Sequence, residues 1–276
     1  MQTSVTLGTL WEIAEKGLIF MHDRILAELN NIEKQYHVRI LYACESGSRA
    51  WGFPSKDSDY DVRFIYIHPA EWYLSVFDKR DVIEVPINDA LDINGWDIRK
   101  ALQLVRKSNP SMIEWFQSPI VYKQTTSVPE KIRSIITSNF SPKACLYHYL
   151  SMAKTNYREY LQGDLVRTKK YFYVLRPILA CMWIEQYENI PPIEFGRLFD
   201  TLLSKSDLSR EIEELLKRKI AGEEFDSEPR ISVINEFIDL KIDHFESYIS
   251  SLRSGVPREE QIFNTVFREA LNEVWG

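Results

Sequence analysis

Residues 45–61 read Glu45-Ser46-Gly47-Ser48-Arg49-Ala50-Trp51-Gly52-Phe53-Pro54-Ser55-Lys56-Asp57-Ser58-Asp59-Tyr60-Asp61. Asp59 and Asp61 stand at i and i+2, which on a strand puts both carboxylates on one face, about 6.5 Å apart. Like charges that close repel unless a cation neutralises them. Hard oxygen donors with no His or Cys nearby suit Mg²⁺ or Mn²⁺. Ahead of the pair, Gly47-Ser48 follows an apolar run directly. Glycine allows close backbone approach, Ser48 offers a hydroxyl, and successive amides can cradle an anion. A phosphate cradle beside a metal-binding carboxylate pair makes a nucleoside triphosphate site, and its chemistry is in-line phosphoryl or nucleotidyl transfer. The bland alternative is an exposed acidic loop. An EF-hand loop opening at Asp57 fails, because its sixth position is Val62 and its twelfth is His68. No GKS or GKT occurs, so there is no Walker A loop.

These residues need elements to position them. Residues 17–36 repeat Met21, Ile25, Leu29 and Ile32 at helical spacing. Residues 38–44 are a β-branched and aromatic run, read as a strand that ends in the small residues before Arg49. Residues 59–67 read as a second strand, with Asp61, Arg63, Ile65 and Ile67 on one face and Tyr60, Val62, Phe64 and Tyr66 on the other. Residues 81–87 and 91–96 are two more strands, joined through Asn88-Asp89 as an antiparallel hairpin. After Trp96 the patterns are helical. Asp97 suits an N-cap, Pro110 a first turn, and further helices begin near Ser127, Pro142, Val166, Ile193, Asp207, Pro229 and Pro257. Pro177 predicts a kink in its helix. The fold class is therefore α+β: a small mixed or antiparallel sheet with helices over 1–125, then a helical domain over 126–276.

Composition narrows the class. The chain has 276 residues, 45% hydrophobic and 27% charged, which fits a folded protein and excludes disordered or low-complexity ones. Ten glycines suit a mostly helical chain. A net charge of −6 argues against a uniformly basic nucleic-acid coat protein and leaves room for a local basic patch. Cys44, Cys145 and Cys181 are far apart, so neither a disulfide framework nor a zinc site is expected. No signal peptide or membrane span is read, and the expectation is a reduced, cytoplasmic protein without a membrane partner.

The Gly47-Ser48 turn followed by Ser58-Asp59-Tyr60-Asp61 on the next strand resembles the DNA polymerase beta-type nucleotidyltransferase superfamily. The longer string 45–52 is similar to one branch, the YcgL-like, RNA-repair-pathway polymerase-beta family (RlaP). So are Ile98-Arg99-Lys100-Ala101-Leu102, Ser108-Asn109-Pro110 with Glu114-Trp115, and Lys169-Lys170-Tyr171 with Leu175-Arg176-Pro177. The likeness runs from about residue 40 to 185. It implies transfer of a nucleoside monophosphate from an NTP to an acceptor hydroxyl, with Mg²⁺ (or Mn²⁺) on Asp59, Asp61 and a third carboxylate. Two-metal sites of this kind hold their ions about 3.5–4 Å apart. Gly47 and Ser48 would hold the β and γ phosphates. Asp92, Asp97 and Glu84 compete for the third position, with Asp92 placed first. The implied acceptor is an RNA 3′ end in RNA repair, and a small molecule or a protein hydroxyl is the alternative.

Other residues have two readings each. Arg49 either neutralises phosphate or pairs with Asp57 or Glu45. Trp51 either anchors the loop or stacks on a base. Arg99, Lys100, Arg106 and Lys107 are a solvated helix face or a phosphate-tracking patch for RNA. Arg167, Lys169, Lys170 and Arg176 flank an apolar helix where cations need partners, and a triphosphate would be one. A module that binds nucleotide without chemistry is the competing hypothesis, and a transferase acting on a partner protein is a third.

Overall fold

A computed structural model of the chain describes residues 7–87, 90–223, 227–252 and 259–276, with side chains from residue 19 onward. A long helix α1 (Leu7–Tyr36) leads into strand β1 (Arg39–Glu45). A single turn α2 (Gly47–Ala50), β2 (Tyr60–Ile67) and a short α3 (Ala70–Tyr73) follow. Then come β3 (Val82–Glu84), β4 (Leu91–Asp97), α4 (Ile98–Arg106), α5 (Pro110–Gln117) and β5 (Val121–Gln124). The sheet order is β3-β4-β2-β1-β5. β2 and β4 run parallel, and the other neighbours are antiparallel. The sheet is therefore mixed, and the fold is α+β.

Strand alternation gives the sheet two apolar faces. Val62, Phe64 and Tyr66 meet Ile25, Leu29 and Ile32 of α1 on one side. Ile65 and Ile67 meet Ile98, Leu102 and Val105 of α4 on the other. A bulge between Ile40 and Tyr42 lets consecutive Leu41 and Tyr42 both join the α4 side. Gly95 is required on β4, because a Cβ there would collide with the Phe64 ring.

The remaining chain is helical: α6 (Val128–Ser138), α7 (Pro142–Tyr160), α8 (Phe172–Tyr187), α9 (Phe195–Leu202), α10 (Asp207–Ala221), α11 (Ser232–Ser251) and α12 (Glu260–Trp275). Its core is continuous with the sheet's. Leu41 and Ile65 belong to one cluster with Ile132, Tyr149, Cys181, Phe245 and Val266.

Several boundaries differ from the sequence reading. The strand expected over 81–87 is only three residues long, since Pro86 lacks an amide for the ladder. The Asn88-Asp89 turn lies outside the described residues. No helix begins at Val166. Leu165–Val166 pair instead with Glu228–Pro229 as a two-stranded ribbon, and a 3₁₀ turn, Thr168–Tyr171, leads into α8. Pro229 is thus in a strand and its helix starts at Ser232, as expected where proline pushes its neighbours into extended backbone. Pro177 lies inside α8. All three cysteines are buried free thiols. No described helix is long and apolar enough to cross a membrane.

Candidate active site

The site forms where β1 ends and β2 and β4 begin. The chain leaves β1 at Ser46, whose amide donates to the Asp61 carbonyl at 2.8 Å, and turns through Gly47 with φ +59°. A Cβ on Gly47 would sit 1.9 Å from Asp61 Oδ2, so the turn and the carboxylate are packed against each other. The amides of Gly47, Ser48 and Arg49 form a first helical turn and have no partner inside it. Ser48 Oγ lies 3.2 Å from Ser58 Oγ, which closes the loop between the Gly47 turn and β2.

Because β1 ends there, the Asp61 amide donates to a side chain, Glu45 Oε1, at 2.9 Å. Glu45 is fully buried, and its other oxygen accepts from the Tyr122 hydroxyl. Burial pushes its carboxyl pKa up, and the nearby Asp61 adds to the rise. Glu45 is a positioning residue that sequence reading passed over, since nothing in the string 45–48 marks it as buried.

Asp61 and Asp92 are register partners on parallel β2 and β4, so both carboxylates face the helical body side by side. Arg63 stands between them. One guanidinium nitrogen lies 3.2 Å from Asp61 Oδ1 and 2.7 Å from Asp92 Oδ2. The alternation that grouped Asp61 with Arg63 carried this signal already. Burial raises the Asp61 pKa, Arg63 opposes that, and Asp92 and Asp59 reinforce it. Asp59 lies one residue before β2 and is exposed.

The competing carboxylates lie elsewhere. Asp97 ends β4, about 16 Å beyond Asp92 at the usual rise per residue. It is buried, caps α4 through the Arg99 amide at 2.8 Å and accepts from Tyr73 Oη at 2.7 Å. Burial pushes its pKa up to about 6. Glu84 is exposed and pairs with Arg80.

The helical body supplies the opposite wall. Lys170 Nζ sits 4.6 Å from the ring centres of both Tyr160 and Tyr173. Burial, with Lys169 and Arg167 beside it, pulls its pKa down. Tyr173 is close enough to Asp61 and Asp59 for their charges to add to the upward push of burial on its phenol.

Several of the cations weighed in sequence have protein partners in the structure. Arg49 pairs with neither Asp57 nor Glu45. Its guanidinium bonds the carbonyls of Ser58 (2.7 Å) and Asp59 (3.2 Å) and lies 3.8 Å over the Tyr60 ring. Lys100 and Arg106 are paired with Asp81 and Glu260, which weakens the reading of α4 as a phosphate-tracking face. Arg176 has a protein partner, described below.

Among the described residues no three His, Cys, Asp or Glu side chains are already gathered as a metal cage. The donors nevertheless suit a hard divalent cation: carboxylate oxygens without sulfur or imidazole, two of them adjacent and repelling across the register.

The model of the RNA repair pathway DNA polymerase beta family matches residues 21–269. The chain belongs to this family. A protein of Bacillus subtilis (strain 168), the uncharacterised YcgL, is 50% identical over 255 residues, 92% of this chain and 98% of the relative. A crystal structure of a nucleotidyltransferase-like protein from Exiguobacterium sibiricum 255-15 aligns over 90% of this chain and 79% of its own, with 11% identity and a TM-score of 0.30.

Motifs far apart in this family member's sequence meet behind the turn. Arg176 of α8 is buried and donates to Glu114 of α5 at 2.6 Å and to the Ile193 carbonyl at 3.2 Å. Tyr149 Oη reaches the same Glu114 oxygen at 2.9 Å. Trp51 lies over the Arg176 guanidinium at 4.8 Å, with its Nε1 3.4 Å from Glu114. Trp51 is therefore the packing anchor of the loop. Its carbonyl accepts from the Phe195 amide at 2.9 Å, and Phe53 packs against Phe172 and Phe195. These contacts bolt the turn at Gly47 to the helical body.

Proposed function

We propose that the protein is a metal-dependent nucleotidyltransferase that moves an NMP from an NTP to an acceptor hydroxyl. The observation that carries this is the pairing of Asp61 with Asp92 across β2 and β4, directly against the Gly47 turn. Family membership supports the same class of chemistry. Asp59, Asp61 and Asp92 would hold Mg²⁺ or Mn²⁺, which when bound offsets charge on the phosphates and acidifies the acceptor hydroxyl. The amides of Gly47 and Ser48 and the Ser48 hydroxyl orient the β and γ phosphates. Lys169 and Lys170 approach the same phosphates from the helical body, and Tyr173 walls the cleft. Glu45 holds the Asp61 backbone in register. Arg49 fixes the Ser58–Asp59 main chain from the side. An RNA 3′ end is the favoured acceptor, in keeping with the family's description; a small-molecule or protein hydroxyl is the alternative.

Arg63 favours one second reading. A guanidinium bonded to both carboxylates already supplies a positive charge where the metal would go. A module that binds nucleotide and performs no transfer would look the same.

One experiment separates the two. Each α-³²P-labelled NTP is incubated with wild type or Asp61→Asn, with Mg²⁺ or Mn²⁺, with and without bulk RNA. Label transferred by wild type alone supports the transferase, and the size of the labelled product gives the acceptor class. Nucleotide binding without transfer under every condition supports the module.

A further inference from the structure

Arg63 sits deeper in the site than the carboxylates it bridges. Its side chain is 19% exposed, against 31% for Asp61 and for Asp92. A cation arriving from solvent therefore meets the carboxylates before it meets the guanidinium.

Both terminal nitrogens of the guanidinium are engaged twice. Nη2 donates to Asp61 Oδ1 at 3.2 Å and to Asp92 Oδ2 at 2.7 Å. Nη1 donates to the main-chain carbonyls of Val62 and Asp92, each at 3.1 Å. Those two carbonyls belong to β2 and β4. The sheet itself thus holds the charge in place, and attraction to the carboxylates is only half of the anchoring. A flat fork with fixed donors can make all four bonds at once, which an ammonium on a flexible stem cannot.

Each carboxylate gives one oxygen to Arg63 and keeps the other. Asp61 Oδ2 lies on the side of the Gly47 turn, where a Cβ on Gly47 would sit 1.9 Å from it. Asp59 adds a third carboxylate, exposed, one residue before β2 and outside the bonds of Arg63.

Three carboxylates less one guanidinium leave two negative charges, which a single divalent cation neutralises. A second divalent cation would stand beside a fixed positive charge, and like charges that close are disfavoured. To take the place of Arg63 it would have to break four hydrogen bonds and leave a half-buried guanidinium without its counter-charge.

We infer that Arg63 occupies the second cation position of the site, so that the protein loads one divalent cation, on the oxygens of Asp59, Asp61 and Asp92 that Arg63 leaves. This rests on the metal-dependent nucleotide reading above, and it departs from the two-ion arrangement that the resemblance implies.

The test is the electron paramagnetic resonance spectrum of Mn²⁺ titrated into the full chain beside an equimolar α,β-methylene analogue of each NTP, with bound ions counted by equilibrium dialysis. Two Mn²⁺ ions at the spacing of a two-metal site, about 3.5–4 Å, couple their spins, and an isolated ion does not. Wild type is compared with Arg63→Met, which keeps the apolar stem, and Arg63→Gln, which keeps an amide donor without the charge. Circular dichroism checks that each variant is folded. Wild type should bind one Mn²⁺ per chain and give the spectrum of an isolated ion. A folded variant should bind twice as many and give the coupled spectrum. A coupled pair in wild type overturns the inference and leaves the nucleotide site standing, and that result needs no variant. One isolated ion in a folded variant also overturns it, since something other than Arg63 then sets the count. Wild type that binds nucleotide without Mn²⁺ overturns it as well and supports the module that performs no transfer. Wild type that binds neither Mn²⁺ nor nucleotide overturns both readings.

Discussion

At the residue scale, Gly47 sets a left-handed turn and the Asp61 carboxylate against each other in one atom's worth of space. Its φ of +59° is where a side chain is strained, and the Asp61 carboxylate occupies the volume that a Cβ would need. Gly47→Ala must therefore either flatten the turn or push Asp61 out of line with Asp92. The expected outcome is loss of transfer together with a stability loss of about 1–3 kcal/mol, measured by label incorporation and urea unfolding. Wild-type activity in a folded Gly47→Ala protein would mean that the turn is not a phosphate cradle. Glu45 works beside it by a different route. A buried carboxylate is costly, yet here it satisfies the Asp61 amide and the Tyr122 hydroxyl, which the end of β1 would otherwise leave without a partner.

At the element scale, the parallel pairing of β2 and β4 sets Asp92 opposite Asp61, and their crossover passes through the short edge strand β3. Strands β1 to β4, the two faces of β2 and the α4 cap at Asp97 were legible in sequence, because each rests on local alternation or capping chemistry, whereas the four-residue edge strand β5 was read as part of the helical region. Sequence reading placed Asp92 ahead of Asp97 through the resemblance alone, because both lie in one strand and only the register with β2 sets Asp92 opposite Asp61. The ribbon of Leu165–Val166 with Glu228–Pro229 was also hidden, since two residues per strand leave no periodicity to read. Sequence placed Arg176 in an apolar helix that needed a counter-charge, and only packing shows that α5 supplies it through Glu114. Breaking a buried pair strands the remaining charge. Arg176→Met should cost about 3–5 kcal/mol by denaturant unfolding and shift Trp51 emission. A loss under about 1 kcal/mol would be in the range of a surface pair instead.

At the scale of the whole molecule, the core that begins under the sheet runs past residue 125 into α6, α7, α8, α11 and α12. The faces of α4 and α5 that meet these helices are apolar: Leu102, Val105, Met112, Ile113 and Trp115 are all buried there. A fragment of residues 1–125 would leave much of that surface in water. It should bind a hydrophobic dye and lack near-ultraviolet circular dichroism, although far-ultraviolet helix and strand signals persist. Cooperative unfolding of the fragment alone would show the head to be an independent unit. The Glu114–Arg176 pair has a further consequence for how such a chain can change over generations. Neither member can be exchanged alone without a stability loss comparable to what many folded domains possess in total. Drift at either position must therefore wait for a simultaneous change at the other, or for a prior gain in stability elsewhere. Two residues separated by 62 positions in the chain should accordingly be inherited as one character.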